Sequence, residues 1–142
     1  GGTPDFSTVD LYEKWKEKYK EIHFAGFIDE DEIPIYYSMG DLFITYSHAS
    51  EGFGLTPVES IACGTPVICS SLPAYKEVLK DNAFFVPPQK PSLLGKKIIE
   101  VIQNNELKNQ IIKKAEKYIQ RYSWNEVGQK LEEVYFKFIN SQ

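Results

Sequence analysis

Apolar residues recur along this chain with two different periods, and the change from one to the other marks out its elements. Val9, Tyr12, Trp15 and Tyr19 stand three or four apart behind Ser7 and Thr8, which predicts a capped helix ending near Lys20. "EIHFAGF" (21–27) alternates and is rich in aromatic and β-branched side chains, which predicts a strand. A short helix is expected through "EDEIPIYYSMG", with Pro34 in its first turn and Gly40 as its stop. "DLFITYS" (41–47) and "TPVICSS" (65–71) are short apolar runs with the composition of strands, and a loop and helix fit between them. "AYKEVLKD" predicts a small helix and "NAFFVPP" a last strand stopped by Pro87 and Pro88. From Ser92 onward the period is helical to the end, through Leu94, Ile98 and Val101, then Leu107, Ile111, Ala115, Tyr118 and Tyr122, then Trp124, Val127, Leu131 and Phe138.

Strands apolar on both faces that alternate with helices describe a parallel sheet covered on two sides. The predicted fold class is therefore α/β, a Rossmann-like three-layer sandwich with about four strands and a helical C-terminal segment. Ligands of such sheets sit at the carboxyl ends of the strands, and "HASEGFG" leaves the carboxyl end of 41–47. A receiver-like or flavodoxin-like signalling domain fits less well, because the acidic strand ends or flavin loops of those domains are not seen.

Composition narrows the picture further. With 142 residues, 42% of them hydrophobic, the chain can build one sizeable core. Its net charge of −4, without a basic tail, gives no field that would attract nucleic acid. Cys63 and Cys69 are not spaced as a redox or zinc pair, so reduced, buried thiols are expected. No apolar run is long enough for a membrane span and the N-terminus does not read as a signal peptide, so the expected location is the cytoplasm or its membrane face. Lys113, Lys114, Lys117 and Arg121 alternate with apolar positions, and read as a solvated helix face rather than a lipid-binding patch.

The chemistry concentrates in "HASEGFGLTPVESIACGTPV" (48–67). Gly52 and Gly54 can take positive φ and let a ligand approach the backbone, while Thr56 and Pro57 read as the cap and first position of the next helix. Free N–H groups at that helix end suit a phosphate or diphosphate. Acids beside an anion cradle point to a ligand that also presents hydroxyl groups, as a nucleotide sugar does. Thr56 and Glu59 also have the spacing of a capping box, so Glu59 has both a structural and a ligand-binding reading. Glu51, ahead of the glycines in a loop, has no such local role. His48 could reach the same mouth, but a lone loop histidine reads as polar filler, and no proton transfer is assigned to it.

The stretch "SEGFGLTPVESIACGTPVICSS" resembles the Glu, seven residues, Glu signature of group 1 retaining glycosyltransferases of the GT-B type, which have two Rossmann-like domains. "FAGFIDEDEIPIYYSMGDLFITYS", "SSLPAYKEVLKDNAFFVPP" and "YSWNEVGQKLEEVY" are similar to further segments of that family's C-terminal, donor-binding domain. Ser47 and His48 stand where the family often has Pro-Ser. The resemblance implies that the chain is part of the C-terminal half of a GT-B fold. The domain's first strand and helix and the whole acceptor domain would then be absent from residues 1–142.

By the same resemblance, Glu51 is the catalytic acid facing the transferred sugar and Glu59 holds the nucleotide ribose. Gly52, Phe53, Gly54, Leu55 and Thr56 line the sugar and diphosphate, and Phe27 and Ile28 lie by the base. The implied activity is transfer of a hexose from a UDP- or GDP-sugar to a glycan, lipid or small-molecule acceptor, with retention, no cofactor and no required metal. The acceptor would be held by the absent N-terminal domain. The alternative is a nucleotide-sugar-binding module, or a fragment inactive by itself. A sheet that lacks a strand should also expose an edge, so self-association is expected there.

Overall fold

A computed structural model describes residues 13–48 and 51–140, and the chain divides into two compact units, residues 1–33 and 34–142. In the first unit a helix, α1, covers residues 13–18, with the Trp15 and Tyr19 rings edge to face at 6.0 Å. The expected cap at Ser7 and Thr8, with Val9 and Tyr12, lies outside the described residues. Residues 21–27 are not a strand. Their alternation supplies propensity, but a strand exists only through a paired ladder. Gly26 also takes a left-handed φ of 71°.

The second unit holds all but the first residue of α2 (Ile33–Ser38), then β1 (Phe43–Thr45), α3 (Leu55–Ala62), β2 (Val67–Ser70), α4 (Pro73–Leu79) and β3 (Phe84–Val86). It then runs through α5 (Pro91–Gln103), α6 (Asn105–Ile119), a 3-10 turn (Gln120–Tyr122) and α7 (Trp124–Ile139). The sheet is parallel in the order β1-β2-β3, with Phe43 opposite Val67 and Ile68 opposite Phe84. Three strands are thus described where about four were expected, and the difference is the 21–27 segment.

The central strand β2 is buried at every position, and its side chains alternate between two cores. Val67 and Cys69 pack on one face with Ile61 of α3, Tyr75, Val78 and Leu79 of α4, and Ala115 and Ile119 of α6. Ile68 points the other way, to Val86 and Val101 with Leu94, Ile98 and Leu107 beside them. This is the two-sided cover that an all-apolar parallel strand requires.

The C-terminal helical run is broken twice, each time by a side chain that caps the next helix. Asn104 Oδ1 accepts from the Leu107 N–H at 2.9 Å, and Ser123 Oγ accepts from the Glu126 N–H at 3.4 Å. Beyond Ser123 the apolar stripe is not core: Trp124 is 89% exposed, and Leu131, Val134 and Phe138 are also exposed. Helical period identifies which face is apolar; it does not supply the surface that would cover it.

Both cysteines are free, but only Cys69 is buried; Cys63 is half-buried. Burial pushes the Cys69 thiol from its ordinary value of 9.0 up to about 12. The unfolded chain therefore releases this proton above pH 9 while the folded chain keeps it, so stability is lost as pH rises from 9 towards 12. Denaturant titrations between pH 8 and pH 10.5 should show a fall approaching about 1.4 kcal/mol per pH unit from this group. Cys69→Ala should flatten that slope at some cost in stability at neutral pH.

Candidate functional site

β1 ends at Thr45, and the chain continues from the carboxyl edge of the sheet into the glycine turn and α3. The end of β1 is clamped from three directions. Thr45 Oγ1 and the Tyr75 hydroxyl share a hydrogen bond of 3.0 Å. The Ser70 hydroxyl, buried at the end of β2, donates to the Ser47 carbonyl at 2.7 Å. The Tyr46 hydroxyl donates to the Pro87 carbonyl and accepts from the Lys90 N–H, both at 2.7 Å.

Glu51 is half-buried, and the Ser47 hydroxyl donates to its Oε1. Ser70 thus holds the backbone of Ser47, and Ser47 holds the carboxylate. Ser47 contributes the hydroxyl that orients the acid, a role that spacing alone did not suggest. His48 is exposed and sits edge to face with Tyr46 at 5.5 Å.

The helix begins two residues earlier than its sequence suggests. Gly54, at φ 76°, is the N-cap of α3, and Leu55, Thr56 and Pro57 are its first three residues. No side chain caps it, so Thr56 and Glu59 do not form the expected capping box. Thr56 already lies inside the helix, where its hydroxyl cannot serve the first-turn donors. The S-x-x-E spacing instead acts at Ser123 and Glu126, where the serine does stand before the helix. At α3 the N–H groups of Leu55 and Thr56 have no acceptor one turn back, and Pro57 has no N–H to leave unsatisfied. Two donors and the positive end of α3 are therefore available at the mouth of the turn.

Glu59 is exposed on α3 and accepts a 3.0 Å hydrogen bond from the Tyr37 hydroxyl of α2. Tyr37 is itself fixed, with its carbonyl taking the Thr65 hydroxyl at 2.7 Å and its ring edge to face with Phe43 at 5.2 Å. Burial, then the bond to the Glu59 carboxylate, raises the Tyr37 hydroxyl well above the usual tyrosine range. Burial, with Glu59 nearby, also raises the Cys63 thiol. Tyr37 therefore stays protonated and donates to Glu59 at any ordinary pH. It is a second positioning residue that the sequence did not mark.

Of the two glycines, only Gly54 has positive φ. A Cβ there would stand 2.5 and 2.8 Å from Cε1 and Cδ1 of Tyr75, which is 2% exposed. Gly52 has open space where its Cβ would lie. Its expected left-handed backbone is not observed, and what it supplies is an unobstructed approach to the turn. Phe53 is partly exposed and meets the Tyr122 ring edge to face at 5.3 Å. Phe27 and Ile28 belong to the first unit, Phe27 being 83% exposed and Ile28 half-buried.

With that geometry in place, comparison with known proteins identifies the family. Residues 1–118 match the model of the glycosyl transferases group 1. The chain belongs to that family. It is 33% identical over 121 residues to the O-antigen chain mannosyltransferase RfbU of Salmonella typhimurium, covering 85% of this chain and 31% of that protein. The C-terminal domain of the group 1 family protein LpcC from Francisella tularensis superimposes with a TM-score of 0.73 at 27% identity, over 84% of this chain and 66% of that one. The Anabaena Alr3699/HepE structure, which holds UDP and glucose, superimposes with a TM-score of 0.80 at 23% identity, over 94% of this chain and 38% of that one, and shows a shared fold. The group 1 chain described here has the architecture of a GT-B C-terminal domain. It spans about a third of the length of the curated relatives it matches. Among the described residues no helix is long and apolar enough to cross a membrane.

The two glycines separate in a stability measurement. Gly54→Ala should lower stability by about 3 kcal/mol, combining the positive-φ cost with overpacking against a ring that cannot retreat. Gly52→Ala should stay within about 0.5 kcal/mol of the parent. Urea midpoints at constant m-value test both, and equal losses would contradict the Gly54–Tyr75 contact.

Proposed function

We propose that this chain is the donor-binding part of a retaining glycosyltransferase that moves a hexose from a UDP- or GDP-sugar to an acceptor hydroxyl. The observation that carries the reading is the placement of a serine-held Glu51 beside the uncapped, glycine-opened N-terminus of α3 in a member of this family. The mannosyltransferase names of relatives, and the UDP and glucose held by a structural neighbour, support the donor class.

As the bond from the sugar to the diphosphate breaks, its electron pair passes to the diphosphate and the sugar becomes oxocarbenium-like. The Leu55 and Thr56 N–H groups stabilise the charge that develops on the diphosphate, so they favour the transition state over the bound donor. Glu51 orients the sugar hydroxyls and lies near the developing positive charge; no covalent nucleophile is assigned to it. Glu59, steadied by Tyr37, takes the ribose hydroxyls. The acceptor hydroxyl attacks from the face the diphosphate leaves and gives its proton to the departing phosphate oxygen, which balances the transfer without a metal. An acceptor-binding domain supplies the partner surface, so residues 1–142 alone bind the donor without turning it over.

Calorimetric titration of this chain with UDP- and GDP-sugars, paired with turnover by the full-length protein, tests the proposal. Glu59→Ala should weaken donor binding about tenfold or more, as loss of a charged hydrogen bond implies. Glu51→Gln should lower full-length turnover on the order of a hundredfold, with a smaller effect on binding. Unchanged binding and turnover in both variants would remove the assignment.

A further inference from the structure

A concavity lies against the glycine turn, bounded by the turn itself, by α4 and by the junction of α6 with the 3-10 turn. Its volume is about 440 Å³, within the size range of small-molecule sites. One wall is an aromatic strip. Phe53 meets Tyr122 edge to face at 5.3 Å, and Tyr122 meets Tyr118 at 6.3 Å. Its middle ring is anchored, because the Tyr122 hydroxyl donates to the Val78 carbonyl of α4 at 2.9 Å.

The remaining walls carry charge of both signs: Arg121 and Lys80 as donors, and Glu77 as acceptor. Arg121 is not simply part of the solvated face that its helical spacing suggested, since its guanidinium carbon stacks 4.1 Å from the centre of the Tyr118 ring. That stacking holds the fork's edges in place for hydrogen bonding.

Three chemistries can be weighed against this lining. A phosphate would gain from Arg121 and Lys80 but would face the Glu77 carboxylate. An alkyl chain would gain from the rings but would strip water from three charged side chains. A neutral saccharide uses all of it: its C–H faces lie on the aromatic strip, and its hydroxyls both donate to Glu77 and accept from Arg121 and Lys80.

We propose that this concavity is a saccharide subsite that holds a glycan next to the donor turn, with Phe53 as the shared wall. The role as an acceptor or product subsite rests on the donor reading of that turn; saccharide binding itself does not. Backbone amide shifts of this 142-residue chain, titrated with α-linked mannobiose, inorganic phosphate and GDP-mannose, test it. Mannobiose should shift the amides of Phe53, Glu77 and Arg121 saturably, and phosphate should leave those of Glu77 and Arg121 unmoved. Arg121→Ala and Glu77→Gln should each weaken mannobiose at least fivefold and leave GDP-mannose within twofold, with unchanged thermal unfolding as the control. Glu59→Ala should do the reverse. Absence of shifts at these amides, preference for phosphate, or saccharide binding untouched in both variants would overturn the subsite. If mannobiose binds as described but no nucleotide sugar does, the subsite stands and the donor reading falls.

Discussion

Gly54 lies directly against the ring of Tyr75, and much of the second unit is arranged around that approach. Tyr75 is buried under the turn, and its hydroxyl meets Thr45 at the end of β1. The same ring therefore locks the strand's carboxyl end and sets how closely the following backbone can pass. Only a residue without a Cβ, in a left-handed conformation, fits there, and that residue is the one that starts α3. The position and direction of the helix's free N–H groups follow from this single contact between a loop and a helix distant in sequence.

Polar side chains at the edges of the sheet then complete the surface. Ser70 secures the carbonyl of Ser47, Ser47 bonds to Glu51, and Tyr37 bonds to Glu59. Each of these is a short side chain or a rigid ring, so little conformational entropy is lost in holding the two acids. The acids belong to different local settings, one in a loop after β1 and one on the exposed side of α3. The fixed path of the turn makes them features of one edge of the fold.

Much of the fold was legible along the chain, and the reasons differ by element. β2 stands out because a parallel strand buried on both faces must be apolar without a break, and β1 and β3 beside it are short apolar runs of the same kind. The helical period after Ser92 was legible too, but the breaks at Asn104 and Ser123 were not read from it, although each residue's side chain caps what comes next. The segment 21–27 alternates like a strand yet is not one, since a ladder depends on a neighbour and not on the segment itself. The apolar stripe of α7 shows the same limit in a helix.

The site divides along a similar line. Sequence alone determined that acids, glycines and a helix start fall together at the carboxyl end of a strand, because those are local properties of spacing and residue type. It also determined the family, since the signature is contiguous. Tertiary structure decided which glycine bears the backbone constraint, that Gly54 rather than Thr56 opens the helix, and that Ser47, Ser70 and Tyr37 hold the acids. It also brought Phe53, Tyr118 and Tyr122 into one strip. Apart from Ser47–Glu51 and Tyr118–Tyr122, these depend on contacts between residues about twenty to seventy positions apart, and no local period or propensity carries that information.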